Sequence, residues 1–141
     1  MMESVLVGYD DTDASKRALE RAAAIAKAFG SKLVVASIAP IAAGGGGRSA
    51  GPIDSTDTPK MHIEELHHAH DYLKGEGVEA SYEGAVGDPA DTIVELANTH
   101  GTDLIVVGTR EPNLVERLLR QSVSDSVAHK AHCDVLIVHV H

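Results

Sequence analysis

Three carboxylates and two hydroxyls fall within five residues at Tyr9-Asp10-Asp11-Thr12-Asp13, directly after the short apolar run Ser4-Val5-Leu6-Val7-Gly8. Oxygen donors of this kind suit Mg²⁺ when phosphate oxygens complete its shell. They equally suit the start of a helix, where a side-chain oxygen accepts from backbone amides that have no partner in the first turn. Capping by Thr12 or Asp13 is the simpler account. A second cluster, Gly108-Thr109-Arg110, follows the run Leu104-Ile105-Val106-Val107, and Gln121-Ser122-Val123-Ser124 comes after a spacer. A glycine at the end of a buried strand lets the backbone turn beside a ligand, and a hydroxyl with free amides at a helix start suits an anion.

Other arrangements fall short of the chemistry they suggest. Gly44 to Gly47 lacks the Gly-Lys-Ser/Thr ending of a phosphate-binding loop and reads as a linker. Nine histidines invite a metal reading, and His67 with Asp71 and His129 with Cys133 stand four apart, with His62, His68 and His70 nearby. None of these has the fixed ligand spacing of a metal site, and His139 and His141 near the end add nothing to it. His70 falls on an apolar helical stripe and is expected to be buried. Ser122, Ser124 and Ser126 share a helix with His129, but the Gly-x-Ser-x-Gly turn is missing and serines at a helix start are caps first. The residues define no catalytic group and no metal site.

The elements that must position these clusters follow from periodicity. Ser4 to Tyr9 reads as a buried strand, followed by a helix to about Phe29 with Ala18, Ala22, Ile25 and Phe29 on one face and Gly30 as its stop. Lys32 to Ile38 is a second strand. Residues 40–59, rich in Gly, Ser, Thr, Asp and Pro, are expected to form a flexible loop. A helix from near Pro59 carries Ile63, Leu66, His70 and Leu73 inward. Val78, Ala80 and Tyr82 alternate with Glu79, Ser81 and Glu83, the pattern of an edge strand. Asp88-Pro89-Ala90-Asp91 opens a helix with Ile93, Leu96 and Ala97 inward, closed by Gly101. The Leu104 strand, a helix from about Ser122 to Ala131 and a last strand Val135 to Val138 complete the order.

Alternation of this kind predicts an α/β fold, a three-layer α/β/α sandwich around a five-stranded, mostly parallel sheet in the order 3-2-1-4-5. That order puts a crevice between the first and fourth strands, where the direction of travel across the sheet reverses. Tyr9 to Thr12 and Gly108 to Arg110 would meet there.

The 141 residues suit a single domain, 1–141, with one core. No spanning helix or signal peptide can be drawn, and a lone Cys133, read as a small buried hydrophobe, suits a reducing compartment, so a cytoplasmic location is expected. A net charge of -9 argues against nucleic acid and anionic membranes as partners.

Taken in order, Gly8-Tyr9-Asp10-Asp11-Thr12-Asp13-Ala14-Ser15, Gly87-Asp88-Pro89, and Val107-Gly108-Thr109-Arg110 through Ser122-Val123-Ser124 resemble the universal stress protein family over nearly the whole length. The resemblance implies a small cytoplasmic Rossmann-like domain of the adenine-nucleotide alpha hydrolase-like kind, usually a homodimer, that acts in stress survival and binds ATP, AMP or no nucleotide. It also implies that Asp10 contacts adenine, that Ile38 flanks the base, and that Ser122 and Val123 follow the last glycine of the phosphate loop. Nucleotide-binding members share Gly, two residues, Gly, nine residues, Gly, then Ser or Thr. Here those positions are Gly108, Glu111, Gln121 and Ser122, so two of three glycines are missing. Glu111 brings a negative charge and Pro112 removes an amide donor, both unfavourable to a polyphosphate. Arg110, Arg117 and Arg120 could offset the charge.

The expected function is therefore a stress-response regulatory or binding module with a degenerate adenine-nucleotide crevice, bordered by Gly8, Tyr9, Asp10, Ile38, Val107, Gly108, Arg110, Ser122 and Val123. Adenosine or AMP would fit better than ATP, and Mg²⁺ would enter only with ATP. A true ATP-binding switch or slow ATPase, with arginines replacing the glycines, is the alternative; a ligand-free interaction subunit is another. The last strand, about 135–139, would leave unpaired backbone groups at the sheet edge and is expected to pair with a second copy. An unidentified regulatory partner is implied as well.

Overall fold

Val5, Leu6 and Val7 are completely shielded from solvent, so the strand they form is covered on both faces. In the computed structural model, which describes residues 2–39, 63–110 and 123–140, this is β1 (Ser4–Gly8). It is followed by α1 (Asp13–Phe29), β2 (Lys32–Ala39), α2 (63–76), β3 (Ala80–Val86), α3 (Pro89–His100), β4 (Leu104–Arg110), α4 (Val123–Lys130) and β5 (Asp134–Val140). The strands form one parallel sheet in the order β3-β2-β1-β4-β5. Residues 40–59, expected to form a loop, lie outside the described residues.

Two cores flank the sheet. Val5, Val7, Val35 and Val106 point into one, with Ala18, Ala22 and Ala26 of α1 and Ala69 and Leu73 of α2. Leu6, Val34, Ile105 and Val107 point into the other, with Ile93 and Ala97 of α3 and Val127 of α4. Each fully buried aliphatic side chain contributes about 1.5–3 kcal/mol relative to exposure. The period-two alternation of the strands thus assigns every second residue to one helical layer.

The helix ends obey local chemistry. Thr12 caps α1, its side chain accepting from the Ser15 amide, and Gly30 ends the helix in the left-handed region at φ 67°. Asp88 caps α3, accepting from the Asp91 amide at 3.0 Å, with Pro89 in the first turn and Gly101 at φ 62° after the last.

The structure departs from the sequence reading at three places. Phe29 is 65% exposed: α1 buries a nearly all-alanine face that ends at Ala26, one turn before it. His70 is not buried. Its side chain is half exposed, stacked on His67 and edge-on to Tyr82 at 5.7 Å, and Ile63 is also exposed. The inward face of α2 is Leu66, Ala69, Tyr72 and Leu73 instead, since this helix covers the β2–β3 margin of the sheet and only part of its stripe meets a partner. Finally, β4 does not end at Val107. It continues to Arg110, because β5 runs alongside and pairs Gly108 with Val138, Thr109 with His139 and Arg110 with Val140.

Candidate functional site: a crevice at the switch point

From β1 the chain builds outward to β2 and β3 on one side, then returns to lay β4 and β5 on the other. Among the described residues no helix crosses over the point of reversal, which leaves a crevice at the carboxyl ends of the strands. It encloses about 440 Å³. Its floor is apolar, made by Gly8, Ala36, Ile93 and Val107, and Ile38 closes one side. Polar groups stand at the rim: Asp10, Thr12, Ser15 and Glu65, while Pro89 and Val123 bring the starts of α3 and α4 to the opposite wall.

The turn after β1 is held by its own side chains. Asp10 Oδ1 accepts from the Thr12 amide at 3.1 Å and from the Thr12 hydroxyl at 2.6 Å, while the Asp10 amide donates to Ser15 Oγ at 3.1 Å. The capping reading therefore accounts for one oxygen of Asp10, whose side chain is otherwise exposed beside the crevice. Asp11 adopts φ 62°, a conformation that L-residues rarely enter. This reversal separates the two aspartates: Asp10 borders the crevice, and Asp11 meets His68 of α2, Oδ2 to Nδ1, at 2.8 Å. Tyr9 is buried beneath them. Burial raises its hydroxyl well above the usual tyrosine range, and the hydrogen bond to Asp11 and the charges of Asp11, Glu65 and Asp10 push it further. At neutral pH it is a neutral donor.

Ser37, fully buried in β2, donates to Glu65 Oε1 at 2.7 Å, which ties the carboxylate of α2 to the strand end beside Ile38. Outside the crevice lining, Lys130 Nζ meets Asp91 Oδ1 at 2.6 Å, an exposed pair that joins the end of α4 to the start of α3.

Of the sequence-predicted residues, Gly8, Tyr9, Asp10, Ile38, Val107, Gly108 and Val123 all border this crevice. Arg110 lies two residues further along β4, its backbone paired with Val140. Ser122 lies outside the described residues, as do Glu111, Pro112, Arg117, Arg120 and Gln121. The structure adds Ser15, Ala36, Glu65, Pro89 and Ile93, which the sequence reading did not assign to the crevice. For Glu65 the available signal was only its place one residue before the inward Leu66, near the start of the described part of a helix. Gly108 has a role other than the predicted sharp turn. Within β4, a Cβ there would collide with the carbonyl group of Ala14, so its bareness admits the first turn of α1 against the sheet.

Among the described residues no group of three or more histidine, cysteine or acidic side chains is placed to hold a metal, and no helix is long and apolar enough to cross a membrane. Cys133 is half buried against the α3–α4 layer, and burial raises its thiol, with help from Asp134 and Asp103.

The sequence profile of the universal stress protein family matches residues 1–139. The chain belongs to the universal stress protein family. Among its relatives, universal stress protein Rv1636 of Mycobacterium tuberculosis (strain ATCC 25618 / H37Rv) is 36% identical over 143 residues, covering 97% of this chain and 96% of that one. Universal stress protein YxiE of Bacillus subtilis is 30% identical, covering 98% and 99%. A universal stress protein solved in complex with cAMP shares 33% identity and superposes with a TM-score of 0.74 over 98% of this chain and 97% of that one. The universal stress protein UspA from Lactobacillus plantarum, 25% identical, gives a TM-score of 0.75 over 97% of each chain. Family membership and the five-stranded Rossmann-like sheet thus agree from sequence and fold alike.

Proposed function

We propose that this universal stress protein is a regulatory binding module whose crevice takes an adenine nucleotide of low phosphate content, such as AMP or cAMP, in preference to ATP. The observation that carries this reading is the crevice itself. Its apolar slot beside Ile38, with the Asp10 carboxylate at the rim, has the chemistry for a purine carrying an exocyclic amine. The cAMP complex of a relative 33% identical supports a one-phosphate ligand. The replacement of two loop glycines by Glu111 and Gln121 argues in the same direction, since fewer side-chain-free positions remain for amides to wrap a polyphosphate.

In this reading Gly8, Val107 and Gly108 form the base of the slot, Tyr9 supports it from below, and Ser122, Val123 and Arg110 belong to the phosphate end. Mg²⁺ accompanies ATP only. The protein acts in the cytoplasm as a binding module for an unidentified regulatory partner. Two copies pair through β5, which has only β4 as a neighbour among the described residues and stands at the sheet's edge.

Calorimetric titration with adenosine, cAMP, AMP and ATP tests the site. Binding of cAMP or AMP with weaker ATP binding is expected; sub-micromolar affinity for ATP would refute the weakened phosphate end. For the dimer, Ile137→Asp is expected to yield monomer by light scattering, while a monomeric wild type would contradict the pairing.

A further inference from the structure

The charged side chains bordering the crevice, among the described residues, are both acidic: Asp10 from the turn after β1 and Glu65 from α2. They reach it differently. Asp10 is part of the turn that starts α1, and one of its oxygens is engaged in capping that turn. Glu65 comes from a different helix and is tied across to a strand. Its carboxylate is drawn to the strand end by the hydroxyl of Ser37, a fully buried residue whose own position is set by the pairing of β2 with β3 at Gly84. A carboxylate anchored in this way beside an apolar slot acts through a medium that screens poorly compared with water, so it repels a nearby anion more strongly than a surface charge does. Two further features sharpen the field. Tyr9, buried under the slot, stays a neutral phenol surrounded by Asp10, Asp11 and Glu65. Asp11, with its left-handed backbone, pairs with His68 of α2 and does not itself line the crevice.

We propose that Glu65, anchored by Ser37 at the crevice wall, is a specificity-determining residue that selects adenine ligands by charge, favouring those with little negative charge and disfavouring polyphosphates. This rests on the adenine-nucleotide reading of the crevice. It assigns the discrimination to a residue at the purine side, separate from the altered loop at the phosphate end, so the two effects can be divided by experiment.

The test is the affinity of adenosine, cAMP, AMP and ATP, in order of rising negative charge, for the wild type, Glu65→Gln and Glu64→Gln. Glutamine at 65 keeps the side-chain length and an oxygen for the Ser37 hydroxyl while removing the charge. The expected result is graded: ATP about tenfold tighter, AMP about threefold, cAMP under about twofold, and adenosine unchanged. Glu64, exposed on the same helix and absent from the crevice wall, makes the same change in net charge and should give no gradient. In the wild type, raising salt from about 0.05 M to about 0.5 M should narrow the gap between adenosine and ATP, a readout that does not depend on any variant folding. Equal effects on all four ligands, a gradient for Glu64→Gln as large as for Glu65→Gln, or a salt-independent gap would each overturn the proposal while leaving adenine binding in place. Failure of all four ligands to bind either protein would overturn the crevice reading, and this inference with it.

Discussion

Gly8 and Gly108 stand on adjacent strands and border the same crevice, and an added Cβ would meet a neighbour at both, but the neighbour differs. At Gly8 an added Cβ would lie 3.3 Å from the end of the Ile93 side chain and 3.8 Å from a methyl of Val107, which are contacts that a small rotation relieves. At Gly108 it would strike the backbone of Ala14, which cannot move without shifting all of α1. The first glycine shapes the slot; the second seats a helix. A glycine bordering a ligand crevice is therefore not by itself a ligand contact, and Gly108, the motif glycine that this chain keeps, also seats α1 on the sheet.

The contrast can be broken by substitution. Gly108→Ala should lower stability by about 3 kcal/mol, read as a large drop in urea midpoint, because the clash is with main chain. If the variant melts like the wild type, the helix-seating role is wrong. On the β1 side, stability should fall at high pH. A tyrosine whose hydroxyl titrates higher in the fold than in the unfolded chain contributes stability that is intact below the unfolded value of about 10 and is lost as pH rises toward the folded value. Burial raises Tyr9, and raises Tyr72 and Tyr82 also. Stability of the wild type should thus decline above pH about 10 by about 1 kcal/mol per pH unit for Tyr9, and Tyr9→Phe should decline less steeply; identical slopes would count against a buried phenol. Thr12→Ala, which removes the cap of α1 but leaves Gly108 in place, should cost about 1 kcal/mol by denaturant titration. Smallest in stability is Gly8→Ala, at under about 1 kcal/mol. Its larger effect should be on adenosine affinity, through the methyl it adds to the slot floor, and equal losses of stability in the two glycine variants would erase the distinction drawn between them.

Much of the fold was legible in the residues. The strand order follows from alternating βα units with right-handed crossovers, and the caps at Thr12 and Asp88 with stops at Gly30 and Gly101 are local hydrogen-bond chemistry that needs no tertiary partner. The crevice residues on the strands were legible for the same reason, since the end of a parallel strand is where a switch point places ligands. Glu65 was not, because what brings it there is a bond to Ser37, 28 residues away in sequence. His70 and Phe29 misled because periodicity reports which face is apolar, not which positions on it meet a tertiary partner.

What the amino-acid sequence determined alone is the set of elements and their caps, which depend on hydrogen bonds and side-chain period within a few residues of one another, and the parallel order, which follows from the alternation of those elements and the handedness of their crossovers. Tertiary structure decided the rest: how far β4 runs, which depends on β5 lying beside it; why Gly108 is bare, which depends on where α1 comes to rest; and which charges border the crevice, which depends on α2 packing over the end of β2. Such contacts join residues far apart along the chain, and no local pattern encodes them.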